Sequence, residues 1–183
     1  MPSATQPELP NPWRTFLQAV DGAIPHEIAL HCLGGFVAAF YYDLSRPTND
    51  LDYVEIVPND AMPLLQQIAG ADSALAKKHR VYLQHVGVAS LPESYAERLK
   101  EIPLASLRRL RLFALEPHDL ALSKLARNSP VDRNDVAQLA KAVPLDAEVL
   151  RVRYRDELRP IIIGDCDRHD RTLEMWIAAY CGA

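Results

Sequence analysis

Cysteine is scarce in this sequence: Cys32, Cys166 and Cys181 stand far apart, and no C-x-x-C pair occurs. A disulfide framework and a thiolate zinc site are thereby set aside, and buried free thiols are the expectation. Long apolar runs are missing as well. No stretch approaches the roughly 18 residues that span a bilayer, so no membrane partner is expected. Residues 1–8 carry neither the basic start nor the apolar core of a secretion signal. A disordered lead-in over 1–10 and a cytoplasmic location are therefore expected. Nor is there an excess of positive charge. Twenty Lys and Arg face 24 Asp and Glu, a formal net charge of -4, and the pI lies near 5.8. That balance disfavours broad electrostatic attachment to nucleic acid or an anionic membrane. Repeats and low-complexity segments are also lacking.

What is present is the composition of an ordinary globular protein. The 183 residues, 49% hydrophobic and 24% charged, are enough to bury a core without covalent help. Asn11-Pro12 reads as a helix cap with proline at the first helical position, and Trp13, Phe16, Leu17 and Val20 recur at helical spacing. A helix over 12–21, ended by Gly22, follows. Strands are predicted over 27–33, 50–57, 81–88 and 110–114, and helices over 36–42, 61–69 and 93–100. From residue 116 onward the pattern is helical only, over 118–127, 133–142, 146–158 and 172–181. The fold class implied is α/β (α+β): a small mixed sheet flanked by helices, with a helical C-terminal half. The expected division is a core over 1–115 and a helical region over 116–183 that packs on it.

Asp50 and Asp52 are one residue apart at the start of a predicted strand. Alternate side chains on a strand share a side, so the two carboxylates converge and call for a cation. Mg²⁺ (or Mn²⁺) prefers such oxygen ligands and keeps waters and substrate phosphates in its other positions. Upstream, Gly34-Gly35 closes one predicted strand and opens a predicted helix. Glycine lets a backbone approach a phosphate, and amides at a helix start favour negative charge. Further on, Lys124 and Arg127 are three apart on one expected helical face, where they would hold phosphates. Asp132 has a structural alternative as the cap of the next helix, with Asp135 near that helix's positive end.

A glycine turn, a helix, Arg46-Pro47-Thr48-Asn49 and then a strand opening Asp50-Leu51-Asp52 resembles the nucleotidyltransferase superfamily. The stretch is most similar to the minimal branch that contains the AbiEii-type toxins of toxin–antitoxin systems. Where much of the superfamily has serine as the second residue of the glycine turn, Gly35 stands here, as in that branch. The segment from Leu115 to Arg127, followed by Asp132-Arg133-Asn134-Asp135, resembles the family's later lysine-bearing helix and the acidic segment after it. The resemblance implies Asp50 and Asp52 as metal ligands and, with Lys124, Asp132 and Asp135, as the catalytic set. It implies Gly34, Gly35, Arg46, Thr48, Lys124 and Arg127 as the nucleotide-binding set. The reaction implied is transfer of a nucleotidyl group from a nucleoside triphosphate to a hydroxyl on an RNA, a protein or a small molecule. An antitoxin protein would be a partner.

One departure matters. Many members supply a third carboxylate from a neighbouring strand, whereas residues 81–88 offer only Tyr82, Gln84 and His85 as polar tips. The site then holds one metal, borrows Asp132 or Asp135, or has lost catalysis. The alternative function is a catalytically inactive member that binds nucleotide or a partner protein. Three other features read as structural. Asp165 to Asp170 is expected to be a polar loop before a helix capped by Thr172. His31 reads as a satisfied residue at a strand end. Arg98, Lys100, Arg108, Arg109 and Arg111 read as a solvated basic face.

Overall fold

The computed structural model describes residues 9–44 and 47–181. These divide into two compact units, one of residues 9–41, 47–87 and 100–114, the other of 42–44, 88–99 and 115–181. None of the described helices is long and apolar enough to cross a membrane.

The first unit is built on a five-stranded mixed sheet. Its strands are β1 (Ile28–Leu33), β2 (Asp50–Val57), β3 (Tyr82–His85), β4 (Lys100–Glu101) and β5 (Leu110–Ala114). They lie in the order β3-β2-β1-β5-β4. β1 runs antiparallel to β2 and parallel to β5, and β2 runs parallel to β3. Four helices belong to this unit: α1 (Trp13–Ala23), α2 (Gly34–Phe40), α3 (Met62–Ala69) and α4 (Ala74–His79). On α1 the helical spacing of Trp13, Phe16, Leu17 and Val20 puts all four in the core. Each such side chain contributes about 1.5–3 kcal/mol on burial. Trp13 meets the Phe36 ring of α2 edge-on at 4.8 Å between centroids, and Phe36 lies 4.9 Å from Phe40. This aromatic cluster anchors the helix that follows the glycines. Asp21, near the end of α1, accepts the backbone N–H groups of Arg108, Arg109 and Leu110 at 2.7–3.0 Å. Burial by itself would raise its pKa. The three hydrogen bonds, with the Arg109 charge, hold it below the usual value and pin the start of β5.

Alternation along β2 is interrupted once. Leu51 and Tyr53 are buried, and so is Ile56, which breaks the strict two-residue period. The cause is a bulge. His31 pairs with Glu55 while the next residue, Cys32, pairs with Tyr53, so Val54 is the extra residue. Asp50 and Asp52 precede the bulge and keep the half-exposed side of the strand.

The second unit is helical. It contains α5 (Pro117–Leu122), α6 (Pro130–Ala142), α7 (Ala147–Arg153) and α8 (Cys166–Tyr180), with a π-helical turn, Tyr154–Leu158, following α7. α5 packs on α6 and α7, and α6 on α8. Leu120, Leu122, Leu125, Leu139, Leu158 and Trp176 are all buried.

Several local expectations change. Gly22 lies inside α1 rather than ending it. β3 spans four residues, shorter than the 81–88 expected, and the helix expected over 93–100 is a single 3-10 turn, Tyr95–Arg98. α4 and β4 were unanticipated. The largest correction concerns Asp165 to Asp170. Asp165 caps α8 by accepting the N–H of Arg168 at 3.0 Å, so residues 166–170 are helix rather than loop. Thr172 is mid-helix, its hydroxyl donating to the Arg168 carbonyl at 2.9 Å.

Candidate functional site

Register places the glycine turn and the acidic pair side by side. Leu33, the last residue of β1, is paired with Asp52 of β2, so the next residue, Gly34, begins its turn against that aspartate. Gly34 has φ +73°, a left-handed conformation that favours glycine. A Cβ on residue 34 would fall 2.5 Å from Asp52 Oδ2 and 3.3 Å from Asp52 Cβ and Cγ. The glycine is therefore required twice, by its backbone conformation and by the carboxylate occupying the space of a side chain. Gly35 is buried in the first turn of α2.

Asp50 is oriented from its own strand start. Thr48 Oγ1 lies 2.7 Å from Asp50 Oδ1 and 2.9 Å from the Asp50 carbonyl oxygen, both within reach of its single proton. Thr48 thus serves as the group that turns the Asp50 carboxylate. Arg46 lies outside the described residues. On the far side of β2, Asp50 is paired with Tyr82 and Asp52 with Gln84. Burial raises the Tyr82 pKa, and the charges of Asp50 and Asp52 raise it further, so the phenol stays protonated beside them. Among the described residues no three His, Cys, Asp or Glu gather into a metal-binding group. The first unit offers Asp50 and Asp52 as a pair of hard oxygen donors.

The remaining expected residues form a cluster inside the second unit. α5 ends at Leu122, and Lys124 and Arg127 lie in the turn after it, not on one helical face. Their environments differ sharply. Lys124 is 6% exposed and its Nζ donates to Asp135 Oδ2 at 2.8 Å, with Asp132 Oδ1 at 3.8 Å. The Arg127 side chain is 70% exposed and grips Asp132 with two hydrogen bonds of 2.6 and 2.7 Å. Asp132 does not cap α6 itself. Ser129 is the cap, and Asp132 completes a capping box from the third helical position. Burial would raise the Asp132 pKa. Arg127, Ser129 and the Lys124 charge outweigh it and hold the group at about 2.

A second charged cluster left no mark in the residue spacing. Arg98 forks onto Asp119 at 2.8 and 3.1 Å and onto Glu157 at 2.8 and 3.1 Å. Arg153 bridges Glu116 and Asp119. Asp119 has no exposed surface, and its compensation by two guanidinium groups is what makes that burial tolerable. Arg98 is thus a half-buried cross-link, not part of a solvated basic face. Arg109 donates to the Ile24 carbonyl, and Arg111 pairs with Glu101 and Glu27 while lying 5.1 Å from the Phe113 ring. Asp170 is held by Tyr154 at 2.6 Å and by Arg159 at 2.9 and 3.0 Å.

In the first unit a left-handed glycine turn thus packs on the D-x-D strand of a mixed sheet. The sequence agrees across most of its length. Residues 25–178 match the model of a family described as nucleotidyltransferase of unknown function (DUF6036), and the chain belongs to that family. No curated protein and no solved structure matches the chain.

Proposed function

We propose that this chain is a divalent-metal-dependent nucleotidyltransferase whose reacting corner is the Gly34 turn with Asp50 and Asp52. The observation that carries the reading is the seating of the Asp52 carboxylate in the space a side chain at residue 34 would fill, 2.5 Å from that Cβ position. Contact of this kind makes the turn and the acidic pair one device. The donor set suits a hard cation. Two carboxylates at alternate strand positions, one of them oriented by Thr48, leave most of the coordination shell to water and phosphate oxygens. Asp50 and Asp52 would hold Mg²⁺ or Mn²⁺, which when bound neutralises charge on the triphosphate.

The chain's own groups supply position. Gly34 and Gly35, without side chains, let backbone N–H groups approach the phosphates. Within the second unit, Lys124 and Arg127 are the proposed nucleotide-binding cations, and Asp135 and Asp132 hold them. The acceptor hydroxyl attacks the α-phosphate, and pyrophosphate leaves. A finer assignment, to the toxin branch with an antitoxin partner, is supported by the run Arg46-Pro47-Thr48-Asn49-Asp50-Leu51-Asp52 and by Lys124 and Arg127 followed by Asp132 and Asp135. Growth arrest on expression without an antitoxin is the expected phenotype; unimpaired growth would remove that assignment and leave the transferase reading standing.

The test of the transferase reading is transfer of label from an α-labelled nucleoside triphosphate with Mg²⁺. Asp50→Asn and Asp52→Asn each lower the rate by roughly a hundred-fold or more, with the fold retained by circular dichroism. Either variant working at the wild-type rate refutes the assignment. A second reading, a binder without turnover, is favoured by Tyr82 and Gln84 standing opposite the aspartates where further carboxylates would strengthen the site. Calorimetry that finds tight Mg²⁺–triphosphate binding, together with no transfer to any acceptor, selects that reading.

A further inference from the structure

A groove of about 410 Å³ runs along β3, on the side of β2 away from the glycine turn. β3 is an edge strand, and residues from both of its faces line the groove, so its free edge forms one wall. The other wall comes from Gln66, near the end of α3, and from Gly70 to Asp72 after it. The groove lies level with the reacting corner, because Tyr82 and Gln84, which line it, are the register partners of Asp50 and Asp52. Its size is that of a site for a small molecule.

This placement has a chemical consequence that rests on the proposed transferase reading. Displacement at phosphorus proceeds in line, with the attacking oxygen and the leaving oxygen on opposite sides. Phosphates held at the Gly34 turn put the departing pyrophosphate on the β1 side of the aspartates. The attacking hydroxyl then comes from the β3 side, where the groove is.

The lining also selects what enters. Gln66 and Gln84 offer amides, Tyr82 a phenol, His85 an imidazole and Asp72 a carboxylate, with no lysine or arginine among them. Asp72 gives the groove a negative charge, and the lining offers hydrogen-bonding groups of both senses. A nucleic acid backbone needs cationic partners and finds none among these lining residues. We infer that the groove is the acceptor site and that its acceptor is a small, neutral or cationic polyhydroxylated molecule, such as a sugar or amino sugar. In the step it serves, the acceptor oxygen forms a bond to the α-phosphorus. The bond from that phosphorus to the bridging oxygen breaks, pyrophosphate takes the electron pair, and the hydroxyl proton is released to solvent through the open groove.

The experiment incubates the full chain with an α-labelled nucleoside triphosphate and Mg²⁺, offering glucose, glucosamine or an RNA oligonucleotide with a free 3′-hydroxyl. Label on a sugar, with glucosamine preferred, and none on the RNA is the expected result. Asp72→Asn should then raise the KM for glucosamine roughly three- to ten-fold with less effect on glucose, since one attractive charge is lost. Gln84→Lys should reverse the charge preference, so that glucosamine loses its advantage over glucose. Label on the RNA, label on neither sugar, or sugar kinetics indifferent to both substitutions would overturn the inference. Calorimetric titration with Mg²⁺–triphosphate alone separates this failure from a wider one. Triphosphate binding that is lost in Asp52→Asn, without sugar labelling, sinks only the groove assignment; no binding to the wild type sinks the transferase reading itself.

Discussion

Replacement of Gly34 by alanine tests the contact on which the site rests. The substituted residue must hold φ near +73°, where an L side chain costs about 1–2 kcal/mol. The new Cβ would also lie 2.5 Å from Asp52 Oδ2, well inside contact distance. Turning the aspartate out of the way costs roughly 0.5–1.5 kcal/mol in rotamer strain. The sum, about 1.5–3.5 kcal/mol, lowers the thermal midpoint by roughly 3–14 °C for a chain of this size. Strain and clash are separable by a double-mutant cycle measured by urea unfolding. In an Asp52→Ala background the clashing oxygen is gone, and the nearest remaining Asp52 atom of the native contact is Cβ at 3.3 Å. Gly34→Ala should then cost only its backbone strain, leaving a coupling energy of about 1 kcal/mol between the two positions. A coupling below about 0.3 kcal/mol would show that residues 34 and 52 do not meet as described.

Acid should weaken the second unit in a defined window. Asp132 and Glu116 are both held at about 2, below their ordinary values of 3.8 and 4.5. For Glu116, burial pushes the pKa up, and His118 and Arg153 more than offset that. A depressed carboxyl pKa stabilises the fold above the unfolded pKa and ceases to do so as pH falls through the folded value. The loss therefore falls between about pH 5 and pH 2. Asp132→Asn should flatten that part of the stability profile and cost roughly 2 kcal/mol at pH 7, read by urea titration at each pH; an unchanged profile would refute the linkage. Lys124→Met removes the buried ammonium that donates to Asp135 and should cost about 3–5 kcal/mol, much of it recovered in Lys124→Met/Asp135→Leu. Equal destabilisation by the single and double variants would argue against a coupled pair. Phe36→Ala, which opens the aromatic cluster beneath the glycine turn, should cost about 3–5 kcal/mol in the same assay.

Much of the first unit was legible because its signals are local. Leu110–Ala114 and Asp50–Val57 are strands over the predicted residues, with apolar and β-branched side chains at the expected positions. α1 follows from the spacing of Trp13, Phe16, Leu17 and Val20. Boundaries failed where polar side chains decide them. Asp165 is one acid among several in its segment, and only the N–H of Arg168 within reach of its carboxylate marks it as the cap. The same holds for Ser129, which displaced Asp132 from the cap by accepting the N–H three residues on. Lys124 and Arg127 looked equivalent at a spacing of three. The end of α5 at Leu122 separates them into a buried ammonium and an exposed guanidinium.

Apolar periodicity and the run from Gly34-Gly35 to Asp50-Leu51-Asp52 are properties of neighbouring residues, and they were enough to give the fold class and the nucleotidyltransferase superfamily. Only the packing of the chain settled which charges pair. Arg98 meets Asp119 across 21 positions and Glu157 across 59, distances along the chain over which no spacing rule operates. It also decided what the glycine is for. Gly34 and Asp52 come together because antiparallel pairing of β1 and β2 sets Leu33 opposite Asp52, and that register is a property of the sheet rather than of either segment.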